Sequence, residues 1–139
     1  MTARYFVDTN VLLYAGSNAP ADAPKRAMAA GLLQHPAIGF SAQVLQEFYD
    51  AAVRKQRLRM THGDALATLK ALNAYPVLPL DYALVLKAVA LKQKFQISYW
   101  DAAILAAARQ LGCEKVFSED LNDGQDYDGV RVDNPFRGL

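Results

Sequence analysis

The chain predicts an α/β fold, a three-layer α/β/α sandwich around a mainly parallel sheet. Short apolar runs of strand length alternate with helix-length segments from end to end. Capping residues stand at the starts of most of those helical segments. More than half of the 139 residues are hydrophobic, 53%, so a real core can be buried. Length and composition fit one domain over 1–139.

Each element has its own reason. Residues 4–8 carry Tyr5, Phe6 and Val7 in a row and read as a strand. A helix starts directly at Thr9 and stops at Gly16-Ser17-Asn18. Pro24 suits the first turn of a second helix, ending near Gln34. Residues 37–40 form the next strand, and Ser41 caps a helix over 42–55. Thr61 caps another, with Asp64 completing a capping-box pattern, and it ends near Asn73. Residues 76–80 are extended, and their two prolines suggest an edge strand or a loop-like one. Asp81 caps a helix to Lys94; Ser98 caps one over 99–111, closed by Gly112. Residues 115–118 are a fourth strand, 124–129 a polar turn and 130–132 a last short strand.

Composition excludes several classes. The formal net charge is +1, so bulk charge argues neither for nor against nucleic acid. The single cysteine, Cys113, permits no internal disulfide and makes a reducing compartment the default. A lone thiol after glycine reads as a packing residue. No apolar run reaches the roughly 18 residues of a membrane span, and the N-terminus does not read as a secretory signal. A cytoplasmic location is therefore expected. There is no internal repeat.

The chemistry-bearing residues are acids. Asp8 ends the first strand in "RYFVDTNVLL"; it can cap the following helix, but that leaves the polar Thr9 and Asn10 unexplained. Glu47, in "SAQVLQEFYD", borders an apolar stripe of Val44, Phe48 and Ala51; alone it would read as a solvated glutamate. Asp50 precedes Arg54 by four residues and reads as half of a surface ion pair. Asp101, in "ISYWDAAILAAARQLG", has capping-box spacing from Ser98, yet it also opens a small-residue helix face. "FSEDLNDGQDYDG" carries Glu119, Asp120, Asp123, Asp126 and Asp128. It lacks the ligand spacing and flanking helices of an EF-hand.

Taken singly, each acid has a plain structural reading. Together, Asp8, Glu47, Asp101 and Asp120 fall at one sheet edge, where strands end and helices leave. In parallel sheets, sites form outside the carboxyl ends of strands. Carboxylates gathered there repel one another unless a cation binds. Oxygen ligands without histidine favour Mg²⁺ or Mn²⁺ over zinc; His35 and His62 read as peripheral. Such a cluster suits metal-assisted phosphodiester hydrolysis.

Four segments, "FVDTNVLLYA", "SAQVLQEF", "YWDAAILAAA" and "VFSEDL", resemble the PIN domain, most closely the small VapC-type toxins, in the family's order and over nearly the whole chain. The closing "VDNPF" also resembles a subgroup of them. The resemblance implies an α/β/α sandwich and a Mg²⁺- or Mn²⁺-dependent ribonuclease. It places the acidic, metal-holding site at Asp8, Glu47, Asp101 and Asp120. Glu119 or Asp123 could share the fourth position. Ser118 matches the small hydroxyl residue beside that acid, and Thr9 or Asn10 could orient Asp8 or a metal-bound water. It also implies an RNA substrate, a cognate antitoxin protein and a homodimer.

An RNA substrate needs cations near the acids. "RKQRLR" supplies Arg54, Lys55, Arg57 and Arg59; cations at a helix C-terminus are its plain reading. Lys92, Lys94 and Arg109 are further candidates. Leu12, Leu13, Tyr14, Met28 and Leu32 could line an antitoxin groove, although core is the favoured reading. Three alternatives stay open: a PIN-type nuclease in RNA maturation outside a toxin pair, a catalytically inactive PIN-like module, and a receiver-type regulator. The last fits poorly, because Lys115 stands at the start of the fourth strand and not at its end.

Overall fold

A computed structural model describes residues 1–139. Strand β1 (Tyr5–Val7) leads into α1 (Thr9–Gly16) and α2 (Ala23–Leu32); β2 (Ile38–Ser41) leads into α3 (Ala42–Arg54) and α4 (His62–Ala71). Then β3 (Val77–Leu78) leads into α5 (Tyr82–Phe95) and α6 (Tyr99–Gln110), followed by β4 (Lys115–Phe117), β5 (Asp126–Tyr127) and β6 (Val130–Asp133). The sheet has six strands in the order β3-β2-β1-β4-β6-β5. Every neighbour pair is parallel except β5 with β6. The fold is thus the α/β arrangement expected.

The strand order explains where a site can form. From β1 the chain steps outward to β2 and β3, then returns past β1 to β4. Helices α1 to α4 pack with one another, and α5 packs with α6. The helices after β1 and those before β4 therefore form separate packing groups. A crevice opens outside the carboxyl ends of neighbouring strands where the winding reverses, here β1 and β4. Asp8 and Ser118 are the residues that follow those strands. Register holds them side by side: Val7 stands opposite Phe117, and the Asp8 N–H donates to the Phe117 carbonyl at 3.1 Å.

Local chemistry accounts for the helix starts. Ser41, Asp81 and Ser98 each accept a backbone N–H three residues on. Thr61 and Asp64 close a full capping box. Ser98 and Asp101 do not: only the Ser98 hydroxyl caps, which leaves the Asp101 carboxylate free of that duty. Cys113 is buried in the core, and burial pushes its thiol up to about 12.

Two expectations need correction. Residues 124–129 are not only a turn. Asp126 and Tyr127 form an edge strand, with Tyr127 in the core, and Asp128-Gly129, both at positive φ, turn it back onto β6. That Asp-Gly pair is a hairpin signal, and a two-residue strand is too short to show alternation. Met28 is 42% exposed and is not core, whereas Leu12 and Leu13 are; Tyr14 and Leu32 are only partly covered.

Candidate active site

Asp8 is the N-cap of α1 and is 4% exposed. One carboxylate oxygen accepts the Thr9 N–H at 2.7 Å, and the other accepts the Ser118 hydroxyl at 2.7 Å. Those two bonds favour the charged form. Burial outweighs them, and the charges of Asp120 and Glu47 add to it, raising the Asp8 carboxyl to about 6. A cap needs no such burial, and the plain capping role does not explain it.

Three further acids bear on the same end of the sheet. Asp120 follows β4; its N–H donates to the Ser118 hydroxyl oxygen at 3.1 Å, and its carboxylate accepts the Asn10 amide at 3.1 Å. Its carboxyl is raised, first by partial burial and then by the charges of Glu119, Asp101 and Glu47, against the Asn10 bond. Glu47, on α3, accepts the Thr9 hydroxyl at 3.0 Å and the Gln43 amide at 2.9 Å, so both its oxygens are oriented. Asp101 lies in the first turn of α6, half-buried, and no side chain donates to its carboxylate.

The remaining two acids have partners of their own. Glu119 accepts the Tyr14 hydroxyl at 2.8 Å and lies 3.5 Å from the Lys25 ammonium. Asp123 accepts the Asn134 N–H and the Arg137 guanidinium, each at 2.8 Å, and those bonds hold its carboxyl below the usual range. Asp120 and Glu119 both line the groove at this edge, whereas Asp123 does not. The Lys25–Tyr14–Glu119 link was not legible in sequence, because its members are scattered along the chain; Lys25 also sits over the Tyr14 ring.

A groove of about 350 Å³ opens at this edge. Thr9, Asn10, Glu47, Glu119 and Asp120 line one part of it, and Arg54, Lys55 and Arg57 another. Arg54 pairs with Asp50 at 3.3 Å, as its spacing predicted, and Arg57 with Asp22 at 3.2 Å. Asp22 is itself buried and accepts the Ser17 hydroxyl at 2.6 Å. Lys55 has no acidic partner and is the free cation of the groove. Arg59 does not line it. Lys94 and Arg109 lie elsewhere, on Asp128. His35 accepts the Ala37 N–H and His62 meets the Tyr49 hydroxyl, and neither joins the acids.

The donor set fits a hard divalent cation. As they stand, no three or more acid, histidine or cysteine side chains form a closed metal cage. Mg²⁺ does not require one, since it keeps several waters and takes only one or two carboxylates. The Asn10 side-chain oxygen is buried without any partner, a second oxygen donor beside Asp120 whose desolvation is uncompensated. Carboxyls raised by one another's charge are relieved by a bound cation.

The chain belongs to the PIN-domain family, whose family model matches residues 5–124. No curated protein matches it. Solved structures share its fold. A Mycobacterium tuberculosis VapC20, described as a sarcin–ricin loop cleaving toxin, is 23% identical over 84% of this chain and 91% of its own, with a TM-score of 0.67. A toxin–antitoxin complex from Klebsiella pneumoniae is 22% identical over 95% and 98%, TM-score 0.67. DNA-bound VapBC from Salmonella typhimurium is 17% identical over 96% and 99%, TM-score 0.66.

Proposed function

We propose that this protein is a Mg²⁺- or Mn²⁺-dependent endoribonuclease, the toxin of a toxin–antitoxin pair. One observation carries the reading: a buried aspartate at a parallel strand end, with no cation paired to it, feels the charges of Glu47 and Asp120 beside a groove edged by cations. Asp8, Asp101, Asp120 and Glu47 would hold the metal. Bound there, it would supply a hydroxide-like nucleophile and neutralise charge on the phosphodiester.

The chain's own residues divide the remaining work. Ser118 and the Thr9 N–H fix the Asp8 carboxylate, and the Thr9 hydroxyl fixes Glu47. Asn10 steers Asp120. Lys55, with Arg54 and Arg57 behind it, takes backbone phosphates. A carboxylate of the cluster accepts the proton of the attacking water.

The partner assignment draws on two neighbours that are themselves toxin–antitoxin assemblies. An antitoxin would cover the acid groove. A homodimer draws support from the exposed stripe of Tyr82, Leu86 and Val89 on α5, with Leu80 just before it. No helix is long and apolar enough to cross a membrane.

The open arrangement of the acids favours one second reading, an inactive PIN-like module that binds without cleaving. One experiment separates them. Purified protein is given labelled single-stranded and structured RNA with Mg²⁺, Mn²⁺ or EDTA, beside Asp8→Asn. Metal-dependent cleavage that the variant loses supports the ribonuclease. Calorimetric metal binding without cleavage of any RNA favours the module.

A further inference from the structure

The chain has one tryptophan, and it is 64% exposed. Tryptophan is highly buried on average, so an open indole calls for a cause. Trp100 immediately precedes Asp101 at the start of α6. Its ring is braced edge-on by Tyr99, with centroids 5.1 Å apart and planes at 83°. With Gln43, Gln46, Glu47 and Asp50 it forms a shallow depression of about 390 Å³. Glu47 and Asp50 line both this depression and the acid groove, so the two are continuous.

The walls select the occupant. Glu47 and Asp50 make the depression hostile to a phosphate. An apolar protein surface is a poor fit, because two of the five lining residues are carboxylates. A flat, neutral, aromatic group fits both the indole face and the polar wall. Gln43 is committed to Glu47, and Asp50 to Arg54. Gln46 is exposed and its amide has no partner, so it can offer both a donor and an acceptor to a base edge.

We propose that Trp100 is a stacking platform for an unpaired base of the RNA, next to the scissile phosphate, with Gln46 meeting that base's edge. The proposal rests on the ribonuclease reading and deepens it. Bases in a duplex are already stacked, so the platform makes the substrate single-stranded or looped at the cut. Phosphates then run along Lys55 while one base lies on the opposite side of Glu47. Trp100 is a specificity residue, not one of the acids.

The single indole is its own probe. Asp8→Asn protein, which should not cleave, is titrated in Mg²⁺ with a short single-stranded RNA of mixed sequence and with its abasic counterpart. Binding is followed by anisotropy and stacking by tryptophan emission. The expected result is quenching by the base-bearing RNA alone. Trp100→Ala should weaken that RNA's binding about 5- to 100-fold and leave the abasic strand's unchanged. Trp100→Phe should recover most of the loss, and in the active protein the Ala change should raise KM more than it lowers kcat.

Base-bearing RNA that binds without quenching, and equally well to Trp100→Ala, overturns the stacking proposal and leaves the ribonuclease standing. So does a Trp100→Ala protein that sediments as a monomer where the parent is a dimer and loses both strands alike; Trp100 is then a contact between copies. If neither strand binds and the active protein cuts no RNA, both readings fall.

Discussion

The acid groove and the depression between α5 and α6 are of similar size and both carry charge, and they differ in how that charge is met. The depression between α5 and α6, about 390 Å³, is lined by Lys87, Lys94, Arg109, Gln110 and Asp128. There each cation has a partner: Lys94 and Arg109 face Asp128 at 2.7 and 3.9 Å, and Lys87 donates to the Gln110 amide oxygen at 2.9 Å. In the groove after β1 and β4, Asp8, Glu47 and Asp120 have hydrogen-bond donors but no cation paired with them. Asp8 and Asp120 are raised by burial and by one another's neighbours, and Lys55 stands alone. Charge that the fold satisfies belongs to its surface. Charge that the fold buries without a countercharge marks a candidate site.

The largest effect separates the two regions at once. Asp8→Asn should lower cleavage by about 10²- to 10³-fold, the scale for losing one charge-stabilising group. In EDTA it should also remove the pH-dependent penalty of the raised carboxyl, about 3 kcal/mol at neutral pH, offset in part by the loss of the bond that an amide nitrogen cannot accept. The sign follows from the raised carboxyl. Below about pH 4 the aspartate is protonated whether folded or not, and costs nothing. As pH rises toward about 6 the unfolded chain ionises first, so stability falls. Above about 6 the folded group ionises too, and the penalty is complete. Urea melts of parent and variant at several pH values should therefore diverge between those limits and stay apart above them. Parallel curves would show that Asp8 is not strained by its burial.

Ser118→Ala comes next. It removes a hydroxyl that donates to Asp8 and accepts from the Asp120 N–H. Losing a buried bond to a charged group costs about 2 kcal/mol. Without that donor Asp8 rises further, so the acid limb of the rate profile should move to higher pH. A loss of stability with an unmoved limb would make Ser118 a packing residue only.

Much of this was legible in the sequence. Caps such as Ser41, Thr61 and Asp81 are local chemistry, and each stands where its residue type predicts. The sheet edge was legible because Asp8 directly follows an apolar run. What was not legible depends on long-range approach. Nothing near Glu119 announces Tyr14 and Lys25, so Glu119 and Asp120 look equivalent until the fold gives one a phenol and an ammonium and the other an amide. Likewise Lys94 and Arg109 look like RNA contacts until β5, whose two residues are too few to read, brings Asp128 to them. Trp100 carries no signal of its own in the sequence, and only its exposure in the fold marks it.

The third test weighs the free cation against the paired ones. Lys55→Ala should raise KM several-fold and lower the salt dependence of RNA binding by about 0.7 in slope, the value for one single-strand phosphate contact. Arg57→Ala should do less, because Asp22 already shares its charge. Equal effects would mean that pairing within the groove does not matter.

The smallest effect belongs to the other depression. Lys94→Ala breaks a 2.7 Å pair with Asp128 in which the lysine is more than half exposed. Exposed pairs are worth only about 0–1 kcal/mol, and the turn at Asp128-Gly129 is also held by the Gly129 N–H on Asp126. Melting should shift by a degree or two and cleavage should not change. A variant with normal melting but several-fold weaker RNA binding would show that a satisfied cation can still be recruited by a long substrate. The contrast between the two depressions would then be one of degree, set by how far the RNA extends from the acids.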